Sequence, residues 1–144
     1  MSNSISVSKC KKSLALTWLI GSGTIFILFF LQSIMGHYSR HINNAWAWFI
    51  PTIIPTLSLI IGVLVADALH PEDKDKTIDP FIFRLALSFS IIYLLLVLMS
   101  ILIQPFTSLS PLEIFDKSNL WLGPIQGLTS GMLGAFFVNV GRAT

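Results

Sequence analysis

Apolar residues fall into four long blocks along the chain, separated by short polar connections. The blocks run Ser13–Ile34, Ala45–Ala66, Phe81–Ile103 and Leu120–Val140, and none carries a charged residue at its centre. A hydrocarbon core of about 30 Å needs about 20 helical residues, so each block is long enough to cross a bilayer. The pattern predicts an all-α, polytopic membrane protein with four transmembrane helices in a single domain, residues 1–144.

Composition agrees with this pattern, because 53% of the residues are hydrophobic and only 11% are charged. Most of the nine Lys and Arg residues fall on one side of the predicted bundle: Lys9, Lys11, Lys12, Lys74, Lys76, Arg84 and Arg142. The other side carries Arg40 and Lys117. Positive residues in short flanks face the cytoplasm, so we predict an N-in/C-in topology. We predict that the membrane is a bacterial inner membrane.

The connections carry the polar chemistry of the chain. The cytoplasmic one is the most charged stretch, and we predict a docking site for a cytoplasmic protein partner on its charged residues: Glu72, Asp73, Lys74, Asp75 and Lys76. Asp79 followed by Pro80 is typical of a helix start, and Ser110 with Glu113 forms a capping-box pattern that predicts a short interfacial helix in the second external loop. Nothing in these segments interleaves basic and aromatic residues, so no nucleic acid is expected as a partner.

Residues at the predicted membrane boundaries are expected to fix the helices against the lipid bilayer. They are Trp46, Trp48, Trp121, Lys11 and Lys12. Arg84 lies one turn inside the third block, where it either extends to the interface or pairs with Asp67. Both roles are structural.

The fourth block has the strongest pattern. Gly123, Gly127 and Gly131 recur every four residues and share one helical arc with three further residues, Gln126, Ser130 and Gly134. Small residues let another helix backbone approach closely, so this arc predicts helix packing in the bundle or a homo-oligomer, or the lining of a pore. Gln126 needs a hydrogen-bond partner in hydrocarbon, in a neighbouring helix or a hydrated path.

Two other patterns have a structural interpretation. Pro51 and Pro55 predict a bent or irregular outer half of the second span, with Thr52 and Thr56 available to bond freed carbonyls. His37 and His41, four residues apart, are too few for a structural zinc site, so no metal is predicted.

Function is constrained mainly by exclusion. The spans contain no nucleophile with a base, paired carboxylates or ligand cluster, so neither an enzyme nor a cofactor is predicted. We expect a non-enzymatic membrane subunit that works with a cytoplasmic partner. The alternative is a channel- or pore-forming effector, for example in bacterial stress or phage defence, with the fourth helix at its centre; a small-solute carrier has less support.

Overall fold

The protein is built almost entirely from four helices. A computed structural model describes residues 5–69 and 77–142, with side chains as far as residue 137. The helices are α1 Val7–Ile34, α2 Ile42–Leu69, α3 Pro80–Leu102 and α4 Pro111–Arg142, and a 3-10 turn, Gln104–Phe106, precedes α4. Two short strands, β1 Ile5–Ser6 and β2 Thr77–Ile78, pair antiparallel. The predicted all-α class is confirmed.

Three of these helices, α1, α2 and α3, are long and apolar enough to cross a membrane. Their outward faces carry large apolar side chains that a water-soluble bundle would bury; Ile20, Ile27 and Leu95 are 61%, 60% and 53% exposed. The chain is therefore a multi-pass integral membrane protein. α4 is not in this group, because glycine, proline, Gln126 and hydroxyl residues dilute its apolar content.

The helices pack as a ring. α1 lies against α2 and α3, and α4 lies against the same two helices of the bundle, α2 and α3. Trp48, Thr52 and Thr56 of α2 bond successively to later residues of α4, so these two helices run parallel. α1 runs the other way, because Lys11 at its start pairs with Asp67 at the end of α2. α3 runs with α1, because β1 and β2 join the N-terminal ends of these two helices.

Rings of aromatic side chains close one end of the bundle, which we call the aromatic end. Phe29 stacks on Phe49 with ring centroids 4.4 Å apart, and Trp48 stacks on Phe115 at 4.1 Å. Tyr38, from the turn between α1 and α2, stacks on Phe29 at 5.1 Å. Offset stacking adds stability beyond the burial of apolar area, so the ends of α1, α2 and α4 are held together here.

The opposite end, which we call the ion-pair end, is held by polar contacts. The Lys11 ammonium lies 2.7 Å from an oxygen of Asp67, which joins the start of α1 to the end of α2. Asp79 accepts a hydrogen bond from the backbone N–H of Phe81 at 2.8 Å with Pro80 at the first helical position, as predicted. Asp67 therefore has a partner in Lys11 rather than in Arg84.

The helices extend beyond the apolar blocks predicted from the sequence. α1 begins at Val7, before the block Ser13–Ile34, so the lysines at 9, 11 and 12 lie within the helix, which suits their helix propensity. The predicted separate interfacial helix does not exist among the described residues: Ser110 and Glu113 form the expected capping box, but the helix continues into the fourth block. α2 is one continuous helix across Pro51 and Pro55, and the predicted bend in its outer half stays a prediction.

Candidate functional site

The glycine arc of α4 lies on the outside of the chain. In the part of α4 that carries the glycines, the buried residues are Leu122, Thr129, Leu133 and Phe136, which face the other helices. Gly123, Gly127 and Gly131 are exposed and Gly134 is half-buried. We call these four glycines the glycine face.

No described residue approaches the glycine face closely. A Cβ atom built on any of the four would meet no heavy atom within 4 Å. Gly21 in α1 gives the contrast, because a Cβ there would lie 2.7 Å from Leu94 Cδ1 of α3. Gly21 thus contributes to the close contact of α1 with α3 at Leu94, whereas the glycine face leaves a surface open.

Gln126, beside the glycine face, bonds to the backbone of α2. Its Nε2 donates to the Pro51 carbonyl at 3.0 Å and lies 3.3 Å from the Thr52 carbonyl. Pro55 has no N–H, so the carbonyl four residues earlier, that of Pro51, lacks its normal helical donor. The amide of Gln126 supplies that donor. Of the two partners expected for Gln126, a neighbouring helix or a hydrated path, the structure shows the neighbouring helix.

Tyr93 of α3 adds to the same point of contact. Its hydroxyl donates to the Thr52 carbonyl at 2.6 Å, and its side chain is fully buried. Together Pro51, Thr52, Tyr93 and Gln126 form what we call the polar cluster. It ties α3 and α4 to α2 where the prolines weaken the helical hydrogen bonding of α2.

Hydroxyl groups continue this contact along α4. Ser130 Oγ lies 3.2 Å from Thr56 Oγ1 of α2. Thr129 donates at 2.8 Å to the Ile125 carbonyl of its own helix, and Thr52 donates at 2.7 Å to the Trp48 carbonyl. Gln126 and Ser130 thus both contact α2 within the chain.

The predicted interface anchors lie in different environments. Trp48 is buried, stacks on Phe115 and donates from Nε1 to Ser118 Oγ at 3.1 Å. Trp46 is half-buried among rings, whereas Trp121 is 43% exposed. Trp121 alone of the three has the exposed position expected of a ring at a membrane boundary.

The basic residues near the start of α1 also differ. Lys12 is exposed, but Lys11 is only 7% exposed because its ammonium pairs with Asp67. The predicted docking residues, Glu72, Asp73, Lys74, Asp75 and Lys76, lie outside the described residues. Docking there stays a prediction.

A cavity that the sequence did not indicate opens at the aromatic end. The turn 37–41 and residues 110–112 at the start of α4 line it, and its volume is about 300 Å³. Arg40, His37 and His41 are the basic residues in this lining. The spacing of the two histidines drew attention to the turn, but no local pattern placed the start of α4 beside it.

Among the described ranges, no group of three or more His, Cys, Asp or Glu residues is placed to hold a metal ion. Comparison of the chain with protein-family models, with curated proteins and with solved structures found no match.

Proposed function

We propose that this protein is a non-enzymatic membrane subunit that assembles with further copies of itself through the glycine face of α4. The observation that carries the proposal is the open surface over Gly123, Gly127 and Gly131. Lipid tails are as apolar as leucine, so helices in a bilayer associate through close packing rather than through hydrophobic burial. Glycine allows the closest packing, and the chain itself leaves the glycine face unused.

The contacts of α4 support its role as the fourth transmembrane helix. It contacts α2 from Ser118, opposite Trp48, to Ser130, opposite Thr56, and so runs alongside a helix that is apolar enough to span the membrane. The buried residues Leu133 and Phe136 continue the packed side of α4 beyond that point. A lower mean hydropathy is compatible with spanning when the glycine face is covered by another copy.

The distribution of charge supports an N-in/C-in orientation. The ion-pair end gathers the start of α1, the end of α2 and the start of α3, and the basic residues Lys9, Lys12 and Arg84 lie in these helix ends. Arg40 and Lys117 belong to the aromatic end. The positive-inside rule then puts the ion-pair end in the cytoplasm, on the side where docking of a cytoplasmic partner through 72–76 is proposed.

Cysteine cross-linking tests the assembly directly. Cys10 is the single cysteine, so a Cys10→Ser background allows one new cysteine to be placed at a time. Gly127→Cys is compared with Gly62→Cys in α2, since both glycines are exposed and neither has an atom within 4 Å of a built Cβ. We expect oxidation in the membrane to give a covalent dimer with Gly127→Cys and not with Gly62→Cys.

Gly127→Leu and Gly62→Leu extend the test to the non-covalent assembly. Neither Cβ has an atom of the chain within 4 Å, and leucine favours a helix over glycine, so both chains should fold. Only Gly127→Leu should convert the oligomer to monomers in light scattering of the detergent-solubilised protein. A wild-type monomer, or equal behaviour of the two variants, would refute assembly through α4.

A further inference from the structure

The cavity at the aromatic end has the size of a small ligand site and is partly open to solvent. Its volume of about 300 Å³ is at the lower limit of typical ligand pockets, which run from about 300 to 1,000 Å³. One wall is the turn between α1 and α2, and the other is the N-terminal residues of α4. It is separate from the glycine face, so its role does not depend on how the protein assembles.

The nitrogen-bearing side chains in this cavity make it suited to an anion. Arg40 is permanently charged and presents a planar set of donors that matches an oxyanion. Among the residues that the structure describes, the only salt bridge is between Lys11 and Asp67, so the guanidinium of Arg40 has no carboxylate partner there. His37 and His41 each present at least one N–H in either protonation state, and a helix N-terminus adds partial positive charge.

One acidic residue, Glu113, lies close to this cavity along α4. Its carboxylate accepts hydrogen bonds from the Ser110 backbone N–H at 2.8 Å and from the Ser110 hydroxyl at 2.9 Å. These two bonds lower the pKa of Glu113, so the group is a fixed negative charge at neutral pH. Glu113 caps α4, but its negative charge repels an anion in the cavity.

The wall of the cavity is held rigidly. Tyr38 is buried, stacks on Phe29 and lies 5.7 Å, ring to ring, from Phe115 of α4. Its hydroxyl donates to Gln32 Oε1 at 2.6 Å. The turn that carries Arg40 and both histidines is thereby fixed against α4, which lowers the entropy lost when a ligand binds.

From this arrangement we infer that the cavity binds a phosphate group, with Arg40 as its main charged contact and His37 and His41 as further donors. A tetrahedral phosphate accepts hydrogen bonds from several directions, which suits donors that reach it from different points of one turn. The phosphate belongs either to a lipid headgroup, since the cavity lies at one end of a membrane bundle, or to a small soluble phosphate.

Two binding measurements on the full chain in nanodiscs distinguish these sources. In the first, inorganic phosphate is titrated calorimetrically into protein in phosphatidylcholine nanodiscs. In the second, native mass spectrometry measures the phosphatidic acid retained from mixed nanodiscs without free phosphate. Arg40→Gln is compared in both with Lys117→Gln, which removes a cation that lines a different, apolar groove on the same side.

Arg40→Gln should weaken phosphate binding about tenfold or more, because it removes a charge-assisted contact, while Lys117→Gln leaves binding unchanged. Glu113→Gln, which can still cap α4, should strengthen binding; a gain of affinity cannot come from misfolding. Saturable binding in the first measurement alone assigns a soluble phosphate, and selective retention in the second assigns a lipid headgroup. Absence of both, or equal losses in Arg40→Gln and Lys117→Gln, would overturn the inference.

Discussion

Replacing Gln126 by leucine should destabilise the bundle by an amount that depends on Pro55. Leucine has a similar volume, so the change removes chiefly the hydrogen bond from Nε2 to the Pro51 carbonyl. The Thr52 carbonyl keeps its bond from Tyr93, but the Pro51 carbonyl loses its donor. Interhelical hydrogen bonds in membranes contribute about 0.6 kcal/mol on average and up to about 1.7 kcal/mol, so we expect a loss of about 1 kcal/mol.

Pro55→Ala provides the matched background. An alanine at 55 has the backbone N–H that a helix directs to the carbonyl four residues earlier, so Pro51 gains an intrahelical donor. Gln126→Leu should then lower the free energy of unfolding by only about 0.3 kcal/mol. The double-mutant cycle therefore predicts a coupling energy of about 0.7 kcal/mol between positions 55 and 126.

The assay is equilibrium unfolding in dodecyl maltoside micelles titrated with SDS, followed by tryptophan fluorescence, for the wild type, both single variants and the double variant. Trp48 stacks beside the contact between α2 and α4 and should report its loss. If Gln126→Leu lowers the unfolding free energy equally in both backgrounds, the amide does not serve the carbonyl that Pro55 leaves free.

Two further outcomes follow from the ion pair and from the placement of α4. Asp67→Asn should lower the free energy of unfolding by about 1–2 kcal/mol, because Lys11 is buried while Asp67 is partly exposed. The double variant with Lys11→Met should recover part of this loss in the same assay. Fully additive losses in the two single variants would contradict a direct pairing of Lys11 with Asp67. Expression of the full chain in cells loaded with a potential-sensitive dye should leave the membrane potential unchanged if the protein is a non-conducting subunit; depolarisation that Gln126→Leu abolishes would instead favour the pore alternative.

The helical class and three of the transmembrane blocks were predictable because they rest on local composition. Twenty apolar residues in a row specify a membrane helix whatever the rest of the chain does. The helix ends were less predictable: the fourth apolar block begins at Leu120, yet α4 begins at Pro111. Within this added segment, Ser118 donates to the Phe115 carbonyl and accepts a hydrogen bond from Trp48. The contact with Trp48 comes from another helix, so the local sequence around Ser118 does not indicate it.

The candidate site, too, could be predicted from the local sequence only in part. Periodicity correctly groups the glycines on one arc, but it does not say whether that arc faces the bundle or the outside. Leu122, Thr129 and Leu133 also share one face of the helix, and theirs is the face that the chain buries. Likewise, the polarity of Gln126 predicted a partner, whereas the identity of that partner depends on which helices become neighbours. Tyr93 joins the polar cluster through a contact with α2 that no local pattern in α3 indicates.

The ring order of the helices has a consequence for biosynthesis. α4 is the last of the four helices to leave the ribosome, yet it supplies Gln126 to the carbonyl of Pro51 and Ser118 to the indole of Trp48. Until it inserts, α2 exposes those polar groups to lipid or to the translocon. Insertion of α4 therefore completes the hydrogen bonding of α2, so the polar groups of α2 find these partners only after α4 has joined the bundle.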